Sequence, residues 1–329
     1  MIISRTPFRI SFFGGGTDYP AWYREQGGAV ISVAINKYCF ITVRELPPFF
    51  EYRYRIRYYL REEVNHIDEI KHPSVRECLR FMKINRGVEV VHSADLPAQS
   101  GLGSSSSFTV GLLNALYSLK YKMPTKRELA LNAIHVEQEM IRENVGSQDQ
   151  TEAAFGGLNR IDFGEPQHIS VRPIILHPER MERLCASLML FFTGFSRTAS
   201  DIAAEQIKRT ADKSAELHQM MALVEEAMNI LLGDQHSLDD FGRLLHEQWQ
   251  IKRSMTHLIS NPRIDDLYAT GVQAGALGGK LLGAGGGGFM LFFVRPEDQP
   301  DVREALKDLL YVPIRFDMLG SQIVYYGNH

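Results

Sequence analysis

Residues 8–13 and 29–43 are runs of β-branched and aromatic side chains, separated by Gly14-Gly15-Gly16-Thr17-Asp18-Tyr19-Pro20 and a short helical stretch. The chain is therefore expected to open as strands around a glycine turn. Residues 51–60 alternate tyrosine and arginine with glutamate and isoleucine, which suits a strand or hairpin with one wet face. Arg53, Arg55, Arg57 and Arg61 fit such a solvated face better than a basic patch. A helix is expected over residues 74–84 and a strand over 88–94. Phe108, Leu112, Leu113 and Leu116 recur at helical spacing within 102–119, and Pro124-Thr125 starts a second helix reaching about Glu143. Residues 145–151 read as a polar loop, and Phe155-Gly156-Gly157 leads into strands near 158–163 and 169–175.

Residues 187–193 form a short, fully apolar strand of the buried kind. From Ser196, a candidate cap, the pattern turns helical, with Leu217, Met220, Met221, Val224, Met228 and Leu231 on one apolar face until Gly233. The methionines there suit core filling. Helices are expected at 238–258 and 265–275, a glycine tract at 278–289, a strand at 290–294, a helix at 302–310, and strands at 312–318 and 323–326. Strands and helices alternate without a regular βαβ rhythm, which predicts an α+β fold in place of a doubly wound sheet. Two units are expected, residues 1–186 and 187–329.

Composition narrows the partner. A net charge of −3 with pI near 6.4 provides no overall basic footprint, which argues against nucleic acid and anionic membranes and leaves a small molecule. Cys39, Cys78 and Cys185 are too few and scattered for a disulfide framework, and no CxxC pair suggests zinc. With no signal-peptide pattern at the start and no membrane-length apolar run, a cytoplasmic setting is expected.

The chemistry gathers at Asp95-Leu96-Pro97-Ala98-Gln99-Ser100-Gly101-Leu102-Gly103-Ser104-Ser105-Ser106-Ser107. The glycines let successive N–H groups face one concavity, and the serines meet a helix start with its positive dipole end. Such a loop suits a nucleotide phosphate, although a serine-rich turn that only caps a helix has the same composition. Gly283-Ala284-Gly285-Gly286-Gly287-Gly288 satisfies the dinucleotide fingerprint, but a strand follows where that fingerprint needs a helix, so a dehydrogenase is not expected. These glycines suggest close backbone approach to another loop or a ligand, or simply a hairpin. No G-x-x-x-x-G-K-[ST] is present, and neither Asp-Phe-Gly triplet follows a His-Arg-Asp loop. Asp149, Glu137 and Glu139 are carboxylates of the kind phosphoryl transfer needs, one to hold Mg²⁺ and another to orient or deprotonate the attacking hydroxyl. Arg9 is a cation in an apolar strand, suited to pair with a buried carboxylate or a substrate.

Pro97-x₃-Gly101-Leu102-Gly103-Ser104-Ser105-Ser106 resembles the central signature of the GHMP kinases, the superfamily of galactokinase, homoserine kinase, mevalonate kinase and phosphomevalonate kinase. Arg5-Thr6-Pro7-Phe8-Arg9 with Gly14…Thr17-Asp18-Tyr19 resembles the superfamily's N-terminal motif, and Lys280-Leu281-Leu282-Gly283-Ala284-Gly285-Gly286-Gly287-Gly288 its C-terminal one. The three segments occur in the same order and span nearly the whole chain. The glycines at 14–16, Val145-Gly146-Ser147-Gln148-Asp149-Gln150 and Phe192-Thr193-Gly194-Phe195-Ser196-Arg197 resemble the branch that phosphorylates a heptose 7-phosphate on its anomeric hydroxyl.

That resemblance implies a ribosomal-S5-like N-terminal domain and a ferredoxin-like C-terminal domain, with ATP and Mg²⁺ as cofactors. It places ATP on Pro97 and on Ser100, Gly101, Leu102, Gly103, Ser104, Ser105 and Ser106, and Mg²⁺ on Ser105 and Glu137 with Glu139 as the alternative. Asp149 matches the catalytic aspartate, as base or as orienting group, and Arg9 its partner. Asp18 with Gly15, Gly16 and Thr17 matches the sugar site, to which Gly285, Gly286 and Arg197 are added, Arg197 with Lys280 as candidates for the sugar's phosphate. Galactokinases usually carry Glu-His where Gly15-Gly16 stand, which weighs against galactose or fucose without removing them as alternatives. The polar Thr17-Asp18 pair weighs against a mevalonate-pathway kinase, and the intact Arg9, Ser105, Glu137 and Asp149 set against a silent binding protein.

Overall fold

The computed structural model describes residues 1–164, 168–194, 199–210, 212–233 and 236–327, with the backbone alone for 199–201. The apolar runs at the start of the chain become two long antiparallel strands, β1 (Ile2–Phe13) and β2 (Gly28–Glu45), joined through the glycine turn and α1 (Pro20–Gln26). β3 (Tyr54–Arg57) and β4 (Arg61–Val64) form a hairpin, and α2 (Pro73–Phe81) leads to β5 (Val88–Ala94). These strands make one sheet in the order β12-β1-β2-β5-β3-β4, where β12 (Gln322–Tyr326) comes from the far end of the chain. β2 is long enough to pair with β5 near its end and with β6 (Leu158–Gly164) near its start; β7 (His168–Pro173) pairs with β6.

The core of this sheet is covered by α3 (Ser104–Leu119), which is buried from Ser106 to Leu119. Val110, Leu112, Leu113 and Leu116 of α3 are wholly buried in one cluster with Phe8, Ile10 and Ile41. Each such side chain contributes about 1.5–3 kcal/mol on burial. α4 (Lys126–His135) continues as a π-helical turn, Val136–Ile141, and α5 (Gln148–Phe155) follows.

α6 (Pro178–Ala186) leads into the smaller antiparallel sheet, whose order is β11-β8-β10-β9. Its first strand is β8 (Leu188–Gly194). The helices α7 (Ala199–Lys208), α8 (Ser214–Leu232), α9 (Leu238–Met255) and α10 (Pro262–Gln273) precede β9 (Gly278–Leu281) and β10 (Gly288–Phe293). α11 (Gln299–Ala305) and β11 (Leu310–Val312) complete this part. A second cluster, including Met189, Phe191, Trp249, Tyr268, Met290 and Phe292, fills it. The parts interlock, because Phe12 and Phe13 of β1 meet the ring of Phe241 on α9 edge-on at 5.3 and 5.1 Å. Division at 186/187 leaves the smaller sheet whole, but β12 crosses back to pair with β1.

Several expectations change in detail. The polar stretch 145–151 is not all loop, since α5 begins at Gln148 and puts Asp149 in its first turn. Gln148, Gln150, Thr151 and Glu152 are buried, so the helix conceals polar groups that partners satisfy, and a hydropathy pattern cannot reveal it. Arg55 is buried against Glu89 at 3.2 Å instead of lying on a wet face, while Arg57 and Arg61 are exposed. The expected strand at 312–318 contracts to β11 plus a single bridge between Ile35 and Phe316. The fold class is α+β, as the irregular alternation predicts.

Candidate active site

After β5 the chain passes over Pro97 and Ser100 to Gly103, which takes the N-cap position of α3 in a left-handed conformation at φ +75°. Gly101 is also left-handed, at φ +81°, and a Cβ there would stand 2.5 Å from the carbonyl oxygen of Leu282. Conversely, a Cβ on Gly283 would meet the Cα of Gly101 at 2.4 Å. The glycine tract near the C-terminus and the glycine-serine loop therefore touch backbone to backbone, which is why both are glycine at the contact. Gly285 and Gly286 stand behind this contact; Gly286 N donates to Ile259 O at 2.9 Å, and a Cβ on Gly285 would meet the Ile259 backbone. The structure thus gives this pair a packing partner in the chain itself, and neither borders the cavity described next.

The loop edges a cavity of about 660 Å³. At its centre the guanidinium of Arg9 donates from Nε and Nη2 to both carboxylate oxygens of Asp149, each at 2.7 Å, and from Nη1 to Gly101 O at 2.7 Å. Such a fork fixes the plane of the carboxylate as well as its charge. The backbone N–H of Arg9 donates to Leu102 O at 3.0 Å, so strand, loop and α5 are locked at one point. Asp149 keeps 28 % of its side-chain surface exposed to the cavity, against 7 % for Arg9.

Asp18 borders the same cavity and receives Gly16 N at 3.0 Å and Gln148 N at 3.3 Å. Burial, with the charge of Asp149 nearby, pushes its carboxyl above the ordinary value. Thr17 is wholly buried, its hydroxyl 2.8 Å from Gly14 O and 3.0 Å from Ala29 O with one proton shared between them, so it shapes the turn while Gly15 and Gly16 line the cavity. A Cβ on Gly146 would fall 1.9 Å from Asp18 Oδ2. Gly146→Ala is therefore expected to dislodge the Asp18 carboxylate and lower activity about tenfold while shifting the melting temperature little. Steady-state kinetics with a melting curve checks this; unchanged kinetics refutes it.

Glu137, in the π-helical turn, is wholly buried. Its Oε2 accepts from Ser106 Oγ at 2.8 Å and from Gln150 Nε2 at 2.5 Å, while Oε1 is buried with no partner. Burial pushes this carboxyl up to about 7. Glu139, two residues on, is exposed. Ser105 is exposed at the loop, and the hydroxyl that reaches Glu137 belongs to Ser106. Ser104 Oγ accepts from Gln99 N at 3.2 Å, Ser100 is buried with its hydroxyl unpaired, and Leu102 is buried. No cluster of three or more His, Cys, Asp or Glu side chains suited to a metal occurs among the described residues. Mg²⁺ needs none, because it keeps waters and phosphate oxygens and takes one or two protein groups. An unpaired buried carboxylate oxygen beside loop serines fits that donor set.

The remaining walls divide the cavity. On one side His72 stacks on Phe108 with centroids 4.6 Å apart, and Tyr58 and His92 meet these rings edge-on. Burial lowers His72 to about 4 and lowers His92 as well, so both imidazoles are neutral near pH 7. On the other side stand Asp18, Gln148, Gln206, Lys252 and Lys280. Arg197 lies outside the described residues. The sequence reading missed Lys252, although a lysine in the apolar stripe Leu245, Trp249, Lys252, Met255 of α9 is the signal that would have found it.

Behind Asp149, one turn along α5, Glu152 is wholly buried and accepts from Ser32 Oγ at 2.5 Å and Asn159 Nδ2 at 3.0 Å. Burial raises its carboxyl from 4.5 to about 7. A raised carboxyl contributes stability that is full below the unfolded value and is lost as pH rises through the folded one. The unliganded protein is thus expected to lose on the order of 1–3 kcal/mol between pH 4.5 and 7 from this group, Glu137 acting in the same direction. Glu152→Gln is expected to flatten the pH dependence of the melting temperature across that window. An unaltered slope refutes the assignment.

Residues 71–157 match the GHMP kinases N terminal domain and residues 220–312 the GHMP kinases C terminal domain. The chain is 30 % identical to D-glycero-alpha-D-manno-heptose 7-phosphate kinase of Campylobacter jejuni, with 93 % of each chain covered. It is 24 % identical to the bifunctional fucokinase/GDP-fucose pyrophosphorylase of Arabidopsis thaliana, covering 92 % of this chain and 31 % of that larger protein. Among solved structures, a D-glycero-D-manno-heptose 1-phosphate kinase from Bacteroides thetaiotaomicron superposes with a TM-score of 0.74 at 23 % identity, covering 100 % of both chains. Lactococcus lactis galactokinase complexed with galactose superposes at 0.75 with 18 % identity, covering 98 % of this chain and 94 % of that one. Full-length similarity, both domain matches and a two-part α+β architecture agree: the chain belongs to the GHMP kinases and is an ATP-dependent phosphotransferase.

Proposed function

We propose that the enzyme transfers the γ-phosphoryl group of ATP to the anomeric hydroxyl of a sugar phosphate, D-glycero-D-manno-heptose 7-phosphate, giving the 1,7-bisphosphate. The observation that carries the reading is Asp149, held by the fork of Arg9 between the glycine-serine loop and Asp18. The full-length similarity to a heptose 7-phosphate kinase supports the acceptor. Three free cysteines, two of them buried, suit the reducing cytoplasmic setting that belongs to this reading.

In this reading the backbone N–H groups of residues 101–106, at the start of α3, take the nucleotide phosphates, and the His72–Phe108 stack takes the purine. Glu137 would hold Mg²⁺ with a serine hydroxyl of the loop, Ser105 or Ser106, and the ion when bound neutralises charge on the phosphates. Asp18 accepts from sugar hydroxyls and sets the ring orientation. Asp149 accepts the hydrogen bond of the anomeric hydroxyl and aims it at the phosphoryl group, and Arg9 holds the carboxylate in plane. The effect is mainly positioning and charge complementarity.

A coupled ADP-release assay tests the reading on heptose 7-phosphate, unphosphorylated heptose, fucose and galactose. Turnover is expected to be highest with the heptose phosphate. Preference for fucose or galactose overturns the acceptor assignment.

A further inference from the structure

Two ammonium groups lining the cavity form no ion pair among the described residues, although the carboxylates of Asp18 and Asp149 are near. Lys280 on β9 is 2 % exposed and donates from Nζ to Phe12 O at 2.9 Å. Lys252 on α9 is 8 % exposed and donates to Leu281 O at 3.4 Å and to Gly283 O. Carbonyls satisfy part of each ammonium's hydrogen bonding and none of its charge, and three N–H donors per lysine leave some to spare. Among the described residues neither lysine forms an ion pair, because the two neighbouring carboxylates are engaged elsewhere: Asp149 by Arg9, Asp18 by two backbone N–H groups. Burial lowers both lysines, Lys252 to about 8, and each is further lowered by the charge of Arg9. Burying unpaired ammonium groups is costly, and the cost is offset when a ligand brings the opposite charge.

Their position says which ligand. Arg9 N marks where β1 meets the phosphate loop, at Leu102 O. Phe12, which holds Lys280, is further along the same strand, about 10 Å away at a rise of about 3.3 Å per residue. Lys280 thus stands three strand residues beyond the loop contact, while Lys252, on Gly283 O, stands where the glycine tract meets the loop, so the two ammonium groups run from the loop edge along β1. Three cations, Arg9, Lys252 and Lys280, and three carboxylates, Asp18, Glu143 and Asp149, line the cavity; of the cations only Arg9 is in an ion pair, so a phosphate monoester meets two ammonium groups free to take its charge and a neutral sugar brings them none.

We propose that Lys252 and Lys280 bind the phosphate monoester carried by the acceptor and so select a phosphorylated sugar. The inference rests on the sugar-kinase reading above and adds the residues that discriminate.

Lys252→Met and Lys280→Met, assayed with Mg·ATP on heptose 7-phosphate and on unphosphorylated heptose, test it. On the phosphorylated sugar kcat/KM is expected to fall about 100-fold, mostly through KM, and on the free sugar about threefold. The KM for ATP is expected to hold, and the melting temperature is not expected to fall, since an apolar isostere removes a buried charge. Equal losses on both sugars, or a raised KM for ATP, overturn the proposal, the latter because the lysines would then serve ATP's phosphates. A lowered melting temperature with losses on both sugars also overturns it, in favour of a structural role. Wild-type enzyme that phosphorylates free sugars and no sugar phosphate refutes the acceptor assignment itself, whatever the lysine variants do.

Discussion

Asp149→Asn is expected to lower kcat about a thousandfold while leaving the affinity for ATP within a few-fold of wild type. The substitution keeps size and shape but removes the charge to which Arg9 donates twice at 2.7 Å. Asparagine offers one acceptor oxygen and an NH₂ group that opposes the guanidinium, so the fork loses one bond and the side chain turns. The acceptor hydroxyl then meets a donor where it needs an acceptor. In the proposed reading ATP lies on the loop and the aromatic wall, and the loop keeps its main-chain bond from Arg9 N to Leu102 O whatever the charge at position 149. Isothermal titration with ATP beside steady-state turnover separates the two effects. Near-normal turnover refutes the role of Asp149, and a parallel loss of ATP binding refutes its separation from the loop.

The second large effect is expected at Gly283→Ala. Gly283 sits at φ +75°, and the added methyl would lie 2.4 Å from the Cα of Gly101. Backbone strain alone costs about 1–3 kcal/mol, and the contact is with main chain that cannot rotate away. At about 2–4 °C per kcal/mol for a chain of this size class, the melting temperature is expected to fall by about 5 °C or more. The relief available is to move the loop at Gly101, which also receives Arg9, so ATP affinity is expected to drop with stability. Gly194→Ala makes the control, because it too has a positive φ, +108°, while a Cβ there meets nothing within 4 Å among the described residues. If both variants melt alike and bind ATP alike, the backbone contact between the two glycine loops carries no functional weight.

Much of the architecture was legible because burial and period coincide. The runs at 8–13, 29–43 and 187–193 appear as β1, β2 and β8, and the apolar spacing after the serines appears as α3. What escaped was polar structure inside the protein. α5 buries Gln148, Gln150 and Glu152, so it reads as a loop to any scheme that equates polar with exposed. The register of Glu137 against Glu139 was open because a π-helical turn breaks the 3.6-residue period at that point. Arg9 and Asp149 are 140 positions apart, and only a resemblance could pair them before the fold did. The aromatic wall of Tyr58, His72, His92 and Phe108 came from four separate places, the β3–β4 turn, the N-cap of α2, β5 and α3, and carried no motif.

β12 bears on how the cleft can move. The smaller sheet is joined to the larger by two covalent crossings, one through α6 between β7 and β8 and one between β11 and β12. A body tied by one peptide swings in any direction, whereas a body tied at two points turns only about the line between them. Two crossings and the Phe12–Phe13–Phe241 contact therefore tie Lys252 and Lys280, on the smaller part, to β1, the strand that carries Arg9.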